Sequence, residues 1–196
     1  MSKGLIIAIV FGIIIMFGGF WACNKRNSFV SLREEAKSQW QQVESQYQRR
    51  MDLIPNIVAT VKGEDNFEKS TLEAVVQARA SATQVKVNLD DINEGSIAKY
   101  KAAQGDLSNA LGRLLMVTEN YPNLKSSAAF ADLRVELEGC ENRISTQRMT
   151  YNTVVKDYNK ALQLFPGSIM AGSFAPMPYF EAEAGAEKAP KVEFDK

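Results

Sequence analysis

The chain has 196 residues, of which 45% are hydrophobic and 23% charged, and its 23 Lys and Arg residues balance 23 Asp and Glu residues. One ordinary domain fits this length. Zero net charge argues against nucleic acid as a partner, because such proteins need excess basic groups to displace counterions from phosphates. The chain contains no histidine, which removes Ser-His-Asp triads and HExxH zinc sites. Its two cysteines, Cys23 and Cys140, lack CxxC spacing. The composition therefore predicts no enzyme activity, no metal site and no cofactor.

The N-terminal region contains one long apolar run. Residues 4–23 are uncharged and rich in isoleucine, and about 20 residues suffice to cross a hydrocarbon core as a helix. The alternative is a cleaved signal peptide, which has a shorter apolar region and small residues at its cleavage site. Phe20 and Trp21 do not fit such a site and suit the membrane interface better. We therefore predict an uncleaved anchor, residues 1–26, with the lipid bilayer as its partner.

Basic residues on the two sides of the run bear on its orientation. Lys3 precedes the run, and four basic residues follow it closely: Lys25, Arg26, Arg33 and Lys37. Because Lys and Arg concentrate on the cytoplasmic side, this count favours a cytoplasmic C-terminal domain in the bacterial cell membrane. A short N-terminal tail with one lysine is also compatible with the opposite orientation.

Small residues recur every four positions within the apolar run, at Gly4, Ala8 and Gly12. This spacing places them on one helix face, where a second membrane helix could approach closely. The alternative is that glycine is simply common in membrane helices. We treat the face as a candidate site of helix packing.

The first segment after the run is predicted to be helical from residue 29 to residue 61. Its apolar positions follow steps of three, four and seven residues, which keep them on one helix face: Phe29, Ala36, Trp40, Val43, Tyr47, Ile54, Ile57 and Val61. Pro55 lies inside this pattern without changing its phase, although an interior proline removes a backbone hydrogen bond. We therefore expect a kinked helix or two coaxial helices, ending at Gly63.

Three further helices are predicted, over residues 67–87, 97–121 and 130–165, with a polar connection at 88–95. The last has a stripe in heptad-like steps: Phe130, Leu133, Leu137, Cys140, Ile144, Gln147, Tyr151, Val154, Tyr158, Ala161 and Phe165. Phe165-Pro166-Gly167 is predicted to stop it. Cys140 lies on this stripe, which indicates a small apolar filler and not a reactive thiol.

The C-terminal tail, residues 166–196, is rich in glycine and proline, then acidic. Five large apolar residues lie in it: Phe174, Tyr179, Phe180, Val192 and Phe194. A disordered tail normally lacks such residues, so we expect it to dock. Docking on its own bundle and docking on a neighbouring copy both remain open. Slight preference goes to the neighbouring copy, which predicts a homo-oligomer.

Arg49 and Arg50, beside Asp52, form the most conspicuous polar cluster. An arginine can bind a lipid phosphate or a partner's carboxylate. The alternative, which we favour, is an ion pair inside the bundle, because Arg50 shares the apolar stripe of Tyr47 and Ile54.

Together these patterns predict an all-α chain. Its N-terminal transmembrane helix, residues 1–26, is followed by an elongated antiparallel four-helix bundle of long helices, residues 27–165. An irregular tail, residues 166–196, completes the chain.

Several blocks resemble the LemA family and occur in that family's order behind an N-terminal membrane helix. They are SLREEAKSQWQQVESQYQRRMDLIPNIVATVKG (31–63), TLEAVVQARASA (71–82), ELEGCENRI (136–144), YNTVVKDYN (151–159), and FPGSIMAG with YFEAEAGAEKAPKVEF in the tail. The resemblance implies an elongated helical bundle on a membrane, without an established enzyme activity. The chain departs from the family at residues 64–68, where relatives often have a histidine, and at Cys140, where threonine is more frequent.

The family is associated with bacterial membrane organisation, including magnetosome membranes, and with genes for membrane proteases. Two hypotheses follow. The first is a single-pass membrane protein that self-associates into a scaffold that organises or shapes the membrane. The second is an adaptor or regulator that presents its bundle to a membrane protease, another membrane protein or a signalling partner.

Overall fold

The structure is a computed structural model that describes residues 3–64, 67–172 and 174–181. Every regular element in those ranges is a helix. The helices are α1 (Lys3–Lys62), α2 (Lys69–Gln84), α3 (Glu94–Thr118), α4 (Pro122–Lys125), α5 (Ala128–Gln163) and α6 (Gly167–Met170). The all-helical prediction is therefore confirmed for the described part. The single turns α4 and α6 were not predicted, because one helical turn is too short to show periodicity.

Helix α1 joins the apolar run to the bundle without interruption. Its 60 residues span about 90 Å at 1.5 Å per residue. The large apolar side chains described between Leu5 and Trp21 are exposed, and the first buried one is Phe29. The helix is long and apolar enough to cross a membrane, as judged by length and composition. It continues without a break through residue 26, the predicted end of the anchor.

Pro55 lies inside α1, as predicted from the unbroken apolar phase. Proline has no backbone N–H, so the carbonyl oxygen of Met51, one turn earlier, loses its helical donor. The Nε of Arg79 in α2 lies 2.9 Å from that oxygen and donates to it. An α2 side chain thus satisfies the carbonyl that Pro55 leaves unpaired, and α1 continues to Lys62.

The connection between α2 and α3 is fixed to α1 near the middle of that helix. Asp90 accepts from Lys37, with 3.0 Å between Oδ1 and Nζ. The next helix then begins with a reciprocal cap, in which the Asn93 side chain accepts from the Ser96 amide and the Ser96 hydroxyl accepts from the Asn93 amide. The polar residues predicted to form a loop therefore form a defined connection, residues 85–93.

Helices α1 and α5 pack side by side in opposite directions. Arg49 of α1 faces Glu136 of α5, whereas Trp40 contacts Tyr151, with ring centroids 5.4 Å apart. Residues earlier in α1 thus lie beside residues later in α5. The C-terminal end of α5 therefore lies beside the part of α1 that follows the apolar run.

The buried face of α5 follows the predicted stripe at first and then leaves it. Phe130, Leu137, Cys140, Ile144, Tyr151 and Tyr158 are buried as expected. Toward the end of the helix Val155, Asn159 and Leu162 are also buried, each one residue after a predicted stripe position. A straight helix has 3.6 residues per turn, so a seven-residue repeat drifts across its face. Phe165, the last predicted stripe residue, lies beyond the end of α5 and is 80% exposed. The prediction that Phe165 lies in the core is wrong.

Candidate functional site

Arg50 is the centre of a buried polar cluster between α1, α3 and α5. Its side chain is 1% exposed, and its two terminal nitrogens donate to four oxygens. Nη1 lies 2.6 Å from the Ser108 hydroxyl and 2.7 Å from Glu141 Oε1. Nη2 lies 2.6 Å from the side-chain oxygen of Gln104 and 3.0 Å from its carbonyl oxygen. The guanidinium therefore connects three helices through charge-assisted hydrogen bonds.

The position of Arg50 follows from the apolar stripe of α1. Tyr47 and Ile54 on the same face are buried, so the residue between them must enter the core as well. The aromatic ring of Tyr47 lies beneath the guanidinium, with 5.1 Å from Cζ to the ring centroid. Arg50 thus forms the ion pair inside the bundle that the sequence favoured over a lipid contact.

Arg49 occupies a different environment from its neighbour. Its side chain is 54% exposed and lies 3.5 Å from Glu136 Oε1, which is itself exposed. An exposed pair of this kind contributes little to stability. Contact of Arg49 with a lipid or a partner stays a prediction.

A cleft of about 800 Å³ opens beside the Arg50 cluster, between α3, α5 and residues 179–180. Its polar lining includes the basic residues Lys101, Arg148 and Lys156 in addition to Arg50, and Glu141 is its one acidic residue among those described. Ser145 and Thr153 add hydroxyl groups. The cleft is an open groove in which basic side chains outnumber acidic ones, a charge balance that suits acidic groups of a ligand.

The start of the C-terminal tail lies along α5 of the same chain in an extended conformation. Asn159 holds Met177 at both backbone groups, with 2.8 Å from its Nδ2 to the carbonyl oxygen and 2.8 Å from its Oδ1 to the amide. Asn152 holds Phe180 in the same way, at 2.9 and 2.7 Å. Each asparagine replaces the partner strand that an extended segment otherwise needs.

Two tyrosines of α5 add hydrogen bonds to the same segment. Tyr151 donates to the Pro178 carbonyl at 2.9 Å, and Tyr158 donates to the Ala175 carbonyl at 3.0 Å. Burial raises the pKa of both tyrosines above the usual value, so both hydroxyls stay protonated and able to donate. Four α5 side chains thus fix residues 175–180.

Phe180 anchors the segment in the core. It is 2% exposed and stacks on Trp40 and Tyr47, with ring centroids 6.0 and 6.3 Å away. The guanidinium of Arg148 covers its ring, 4.3 Å from the centroid. Burial of one large aromatic residue stabilises the docked segment by about 1.5 to 3 kcal/mol.

The other tail residues singled out from the sequence have different surroundings. Phe174 contacts Phe29 of α1, with ring centroids 5.6 Å apart, and Tyr179 is 43% exposed at the edge of the cleft. Val192 and Phe194 lie outside the described residues. The preference for docking on a neighbouring copy is wrong for residues 174–180, whose hydrogen bonds and ring contacts are made to α1 and α5 of the same chain. It stays a prediction for Val192 and Phe194.

The predicted small-residue face lies on the exposed apolar part of α1. Open space surrounds Gly4 and Gly12 within 4 Å of the place where a Cβ would stand. The Ala8 side chain lies outside the part of the chain that the structure describes. Packing of a second membrane helix on this face stays a prediction.

Sequence reasoning missed Gln104, Asn152 and Asn159, because their partners are an arginine or backbone groups distant in the chain. One signal was present, since Asn152 and Asn159 are seven residues apart on α5 beside apolar positions. Polar amides at such positions need partners when they are buried. The basic groups around the cleft gave no signal, since Lys101 and Lys156 come from different helices.

Within the described ranges, no group of three or more His, Cys, Asp or Glu side chains could hold a metal ion. Cys140 is fully buried and Cys23 is exposed on α1. The charged groups of the cluster and the cleft are suited to ion pairing and hydrogen bonding.

Comparison with known proteins places this architecture in a family. The family model described as LemA family matches residues 39–194. Magnetosome protein MamQ 2 of Paramagnetospirillum magneticum is 27% identical over 180 residues, covering 82% of this chain and 66% of the relative. MamQ of Magnetospirillum gryphiswaldense is likewise 27% identical, covering 81% of this chain and 66% of the relative. Protein LemA of Metamycoplasma hominis is 21% identical, covering 72% and 61%.

The chain thus spans just under two thirds of the length of the curated MamQ relatives. The family match includes the second half of α1, the Arg50 cluster and the segment docked on α5. The resemblance seen in the sequence blocks is confirmed, and the chain belongs to the LemA family.

Proposed function

We propose that this protein is a non-enzymatic, single-pass bacterial membrane protein that self-associates into a homo-oligomeric scaffold and thereby organises or shapes the membrane. Its anchor is the apolar part of α1, and its soluble part is an elongated antiparallel four-helix bundle. The Lys and Arg count favours the cytoplasmic side for that bundle.

One observation carries this proposal: α1 is continuous from the apolar run to Val61 in the core of the bundle. A flexible linker would let a bundle move independently of its anchor. A continuous helix instead transmits the orientation of the bundle to the membrane span. Assembly of bundles would then impose an arrangement on the spans and on the surrounding lipid.

The similar proteins also support a role in membrane organisation. Two of the similar proteins bear the name magnetosome protein, and we infer a role in membrane organisation for this chain from that likeness. The lack of histidine and the open form of the cleft support a role without catalysis.

The mass of the full chain in detergent tests self-association. We expect an assembly larger than a dimer after the mass of the detergent is subtracted. A monomer or a dimer would contradict the scaffold and would leave the adaptor as the better hypothesis.

Coupling of the bundle to the membrane needs a separate test in liposomes. A flexible Gly-Ser insertion after Arg26 should keep the mass of the assembly but abolish changes of membrane shape seen by electron cryomicroscopy. A helix-forming insertion of seven residues preserves the facing of the helix to within about 20° and serves as the matched control. Equal membrane shaping by both insertions would contradict a scaffold that acts through a continuous α1.

The adaptor hypothesis is favoured by the cleft, whose basic groups could receive an acidic segment of a membrane protease or signalling partner. Lys101→Glu with Lys156→Glu would abolish capture of such a partner. An unchanged set of captured proteins would contradict the adaptor.

A further inference from the structure

The corner between α5 and α6 carries the two most exposed large apolar side chains of the described residues, Phe165 and Ile169, and a third exposed one, Leu164. Phe165 is 80% exposed, Ile169 is 76% exposed and Leu164 is 55% exposed. By comparison, Ile7 and Phe20 in the apolar run are each 68% exposed. Single exposed apolar residues are common on protein surfaces, but three in one corner mark an interaction surface.

The course of the chain places this corner at the end of the bundle nearest the apolar run. Helix α5 runs toward that end beside α1, as shown by the successive contacts of Arg50 with Glu141 and of Trp40 with Tyr151. The chain then turns at residues 164–166 and returns along α5, where Tyr158 holds Ala175. The turn is therefore the extreme point of the soluble part on that side.

The level of the turn along α1 follows from the contacts. The pairing of Trp40 with Tyr151, continued one residue for one along both helices, brings Phe165 to the level of Arg26. Contacts on the returning chain agree with this level. The Cβ position of Gly167 lies 3.2 Å from the Phe29 ring, and the Arg26 guanidinium lies 5.8 Å from the centre of the Phe174 ring.

Arg26 follows the end of the predicted span, Cys23, by three residues, which correspond to about 4.5 Å along a helix. Bilayers have an interfacial layer of about 5 to 8 Å on each side of the hydrocarbon core, where aromatic and aliphatic side chains can lie beside headgroups. Phe165 is thus at the height of that layer, and the basic residues Lys25 and Arg26 are at the height of lipid phosphates.

We propose that the α5–α6 corner is a second membrane contact, in which Leu164, Phe165 and Ile169 insert into the lipid interface beside the α1 span. The occupant of this apolar surface is the bilayer, because the corner lies at the level of Arg26, only three residues beyond the apolar run of α1. This inference rests on the proposed function in one respect, namely that α1 spans the membrane. Two attachment points, the α1 span and the α5–α6 corner beside it, would fix the rotation of the bundle about α1 and the tilt of the bundle relative to the membrane.

The test uses the full chain with Cys23→Ser and Cys140→Ala, reconstituted in nanodiscs of phosphatidylcholine and phosphatidylglycerol. Single cysteines replace Phe165, Met116 or Met16, and each carries an environment-sensitive NBD fluorophore. Met116 is the matched control, since it is 72% exposed near the C-terminal end of α3, which lies away from the span. Circular dichroism verifies that each variant is folded.

Lipids with a nitroxide near the headgroup should quench the fluorophore at Phe165 by roughly twofold or more, as expected for a group in the interface. The fluorophore at Met116 should remain unquenched. Lipids with a nitroxide deep in the acyl chain should quench the fluorophore at Met16. Quenching at Met16 combined with none at Phe165 would overturn the corner contact alone. The absence of quenching at Met16 would overturn the anchor, and with it both proposals.

Discussion

Arg50 shows how a single charged residue can specify the packing of three helices. Its guanidinium donates hydrogen bonds to oxygens on α3 and α5, and these contacts are possible because the side chain is buried between the helices. The Glu141 partner is 45% exposed on its side chain, so solvent screens part of the attraction. The greater share of the effect comes from the buried side-chain oxygen of Gln104, which loses this donor without the arginine, whereas the Gln104 carbonyl lies inside α3 and keeps its helical donor.

Arg50→Met is therefore expected to lower the free energy of unfolding by about 2 to 4 kcal/mol, because it leaves buried acceptors without donors. Arg49→Met is the matched control, with an expected loss of less than about 1 kcal/mol. Urea unfolding followed by circular dichroism measures both. Equal losses for the two neighbours would show that the burial of Arg50 is not what stabilises the bundle.

Gly167 is required by the close approach of α6 to α5 and α1. A Cβ at this position would overlap the Ala161 carbonyl oxygen and would lie 3.2 Å from the Phe29 ring. Gly112, in contrast, is an exposed residue inside α3 with nothing within 4 Å of its Cβ position.

Gly167→Ala should destabilise the protein by about 1 to 3 kcal/mol through overpacking. Gly112→Ala should stabilise it by up to about 1 kcal/mol, because alanine is the better helix former. Thermal unfolding distinguishes the opposite signs. A neutral Gly167→Ala would mean that the α5–α6 corner is looser than the structure indicates.

At the scale of the elements, the sequence predicted the helices well where packing follows periodicity. The stripe through Tyr47 and Ile54 correctly indicated an unbroken α1 across Pro55, and Gly63 correctly marked its end. It could not identify Arg79 as the donor to the Met51 carbonyl, since that contact depends on the relative position of two helices. The exposure of Phe165 was missed because α5 ends at Gln163, two residues before it, so the helical stripe no longer applies there.

The contact between Arg79 and the Met51 carbonyl predicts a coupling between Arg79 and Pro55. Arg79→Met should cost about 1 to 3 kcal/mol in the natural chain, because a partly buried carbonyl loses its donor. The cost should be smaller in a Pro55→Ala background, where the residue 55 amide can serve the same oxygen. A double-mutant cycle by urea unfolding measures this difference. Identical costs in both backgrounds would contradict the coupling.

The docked segment of the tail depends on asparagine side chains whose role the apolar periodicity of the sequence does not reveal. Asn159→Ala should cost about 2 to 4 kcal/mol, since the Met177 amide and carbonyl both lose their partner. Asn142→Ala, at an exposed position of the same helix, should change stability by no more than about 0.5 kcal/mol. Hydrogen exchange of the Met177 amide should accelerate in Asn159→Ala and not in Asn142→Ala. Unchanged exchange in both variants would show that the segment is held by other groups.

At the scale of the whole molecule, one helix provides the apolar run that could span a membrane, one side of the bundle core and the partner of α5. The apolar run and the stripe from Phe29 to Val61 are separately visible in the sequence, but their continuity is not. The residues between them, Asn24 to Ser28, have no apolar periodicity and could equally form a loop. In the structure they form part of α1, which makes the anchor and the bundle a single element.

The Phe180 anchor and the α5–α6 corner depend on the same long-range arrangement. Phe180 is buried because the chain reverses after α5 and returns along it, and the reversal itself places Phe165 at the end of the bundle that lies nearest the apolar run. Neither consequence can be derived from composition, because both depend on the direction of α5 relative to α1.

The continuity of α1 across the membrane boundary is tested most directly by one distance measurement. Spin labels on Met16→Cys and Ser45→Cys, in a chain with Cys23→Ser and Cys140→Ala, are diluted with unlabelled protein in nanodiscs. A continuous helix places these positions about 44 Å apart, so pulsed electron paramagnetic resonance should give a narrow distribution near that distance. A broad distribution, or one centred at a clearly shorter distance, would show a flexible joint between anchor and bundle and would contradict the account.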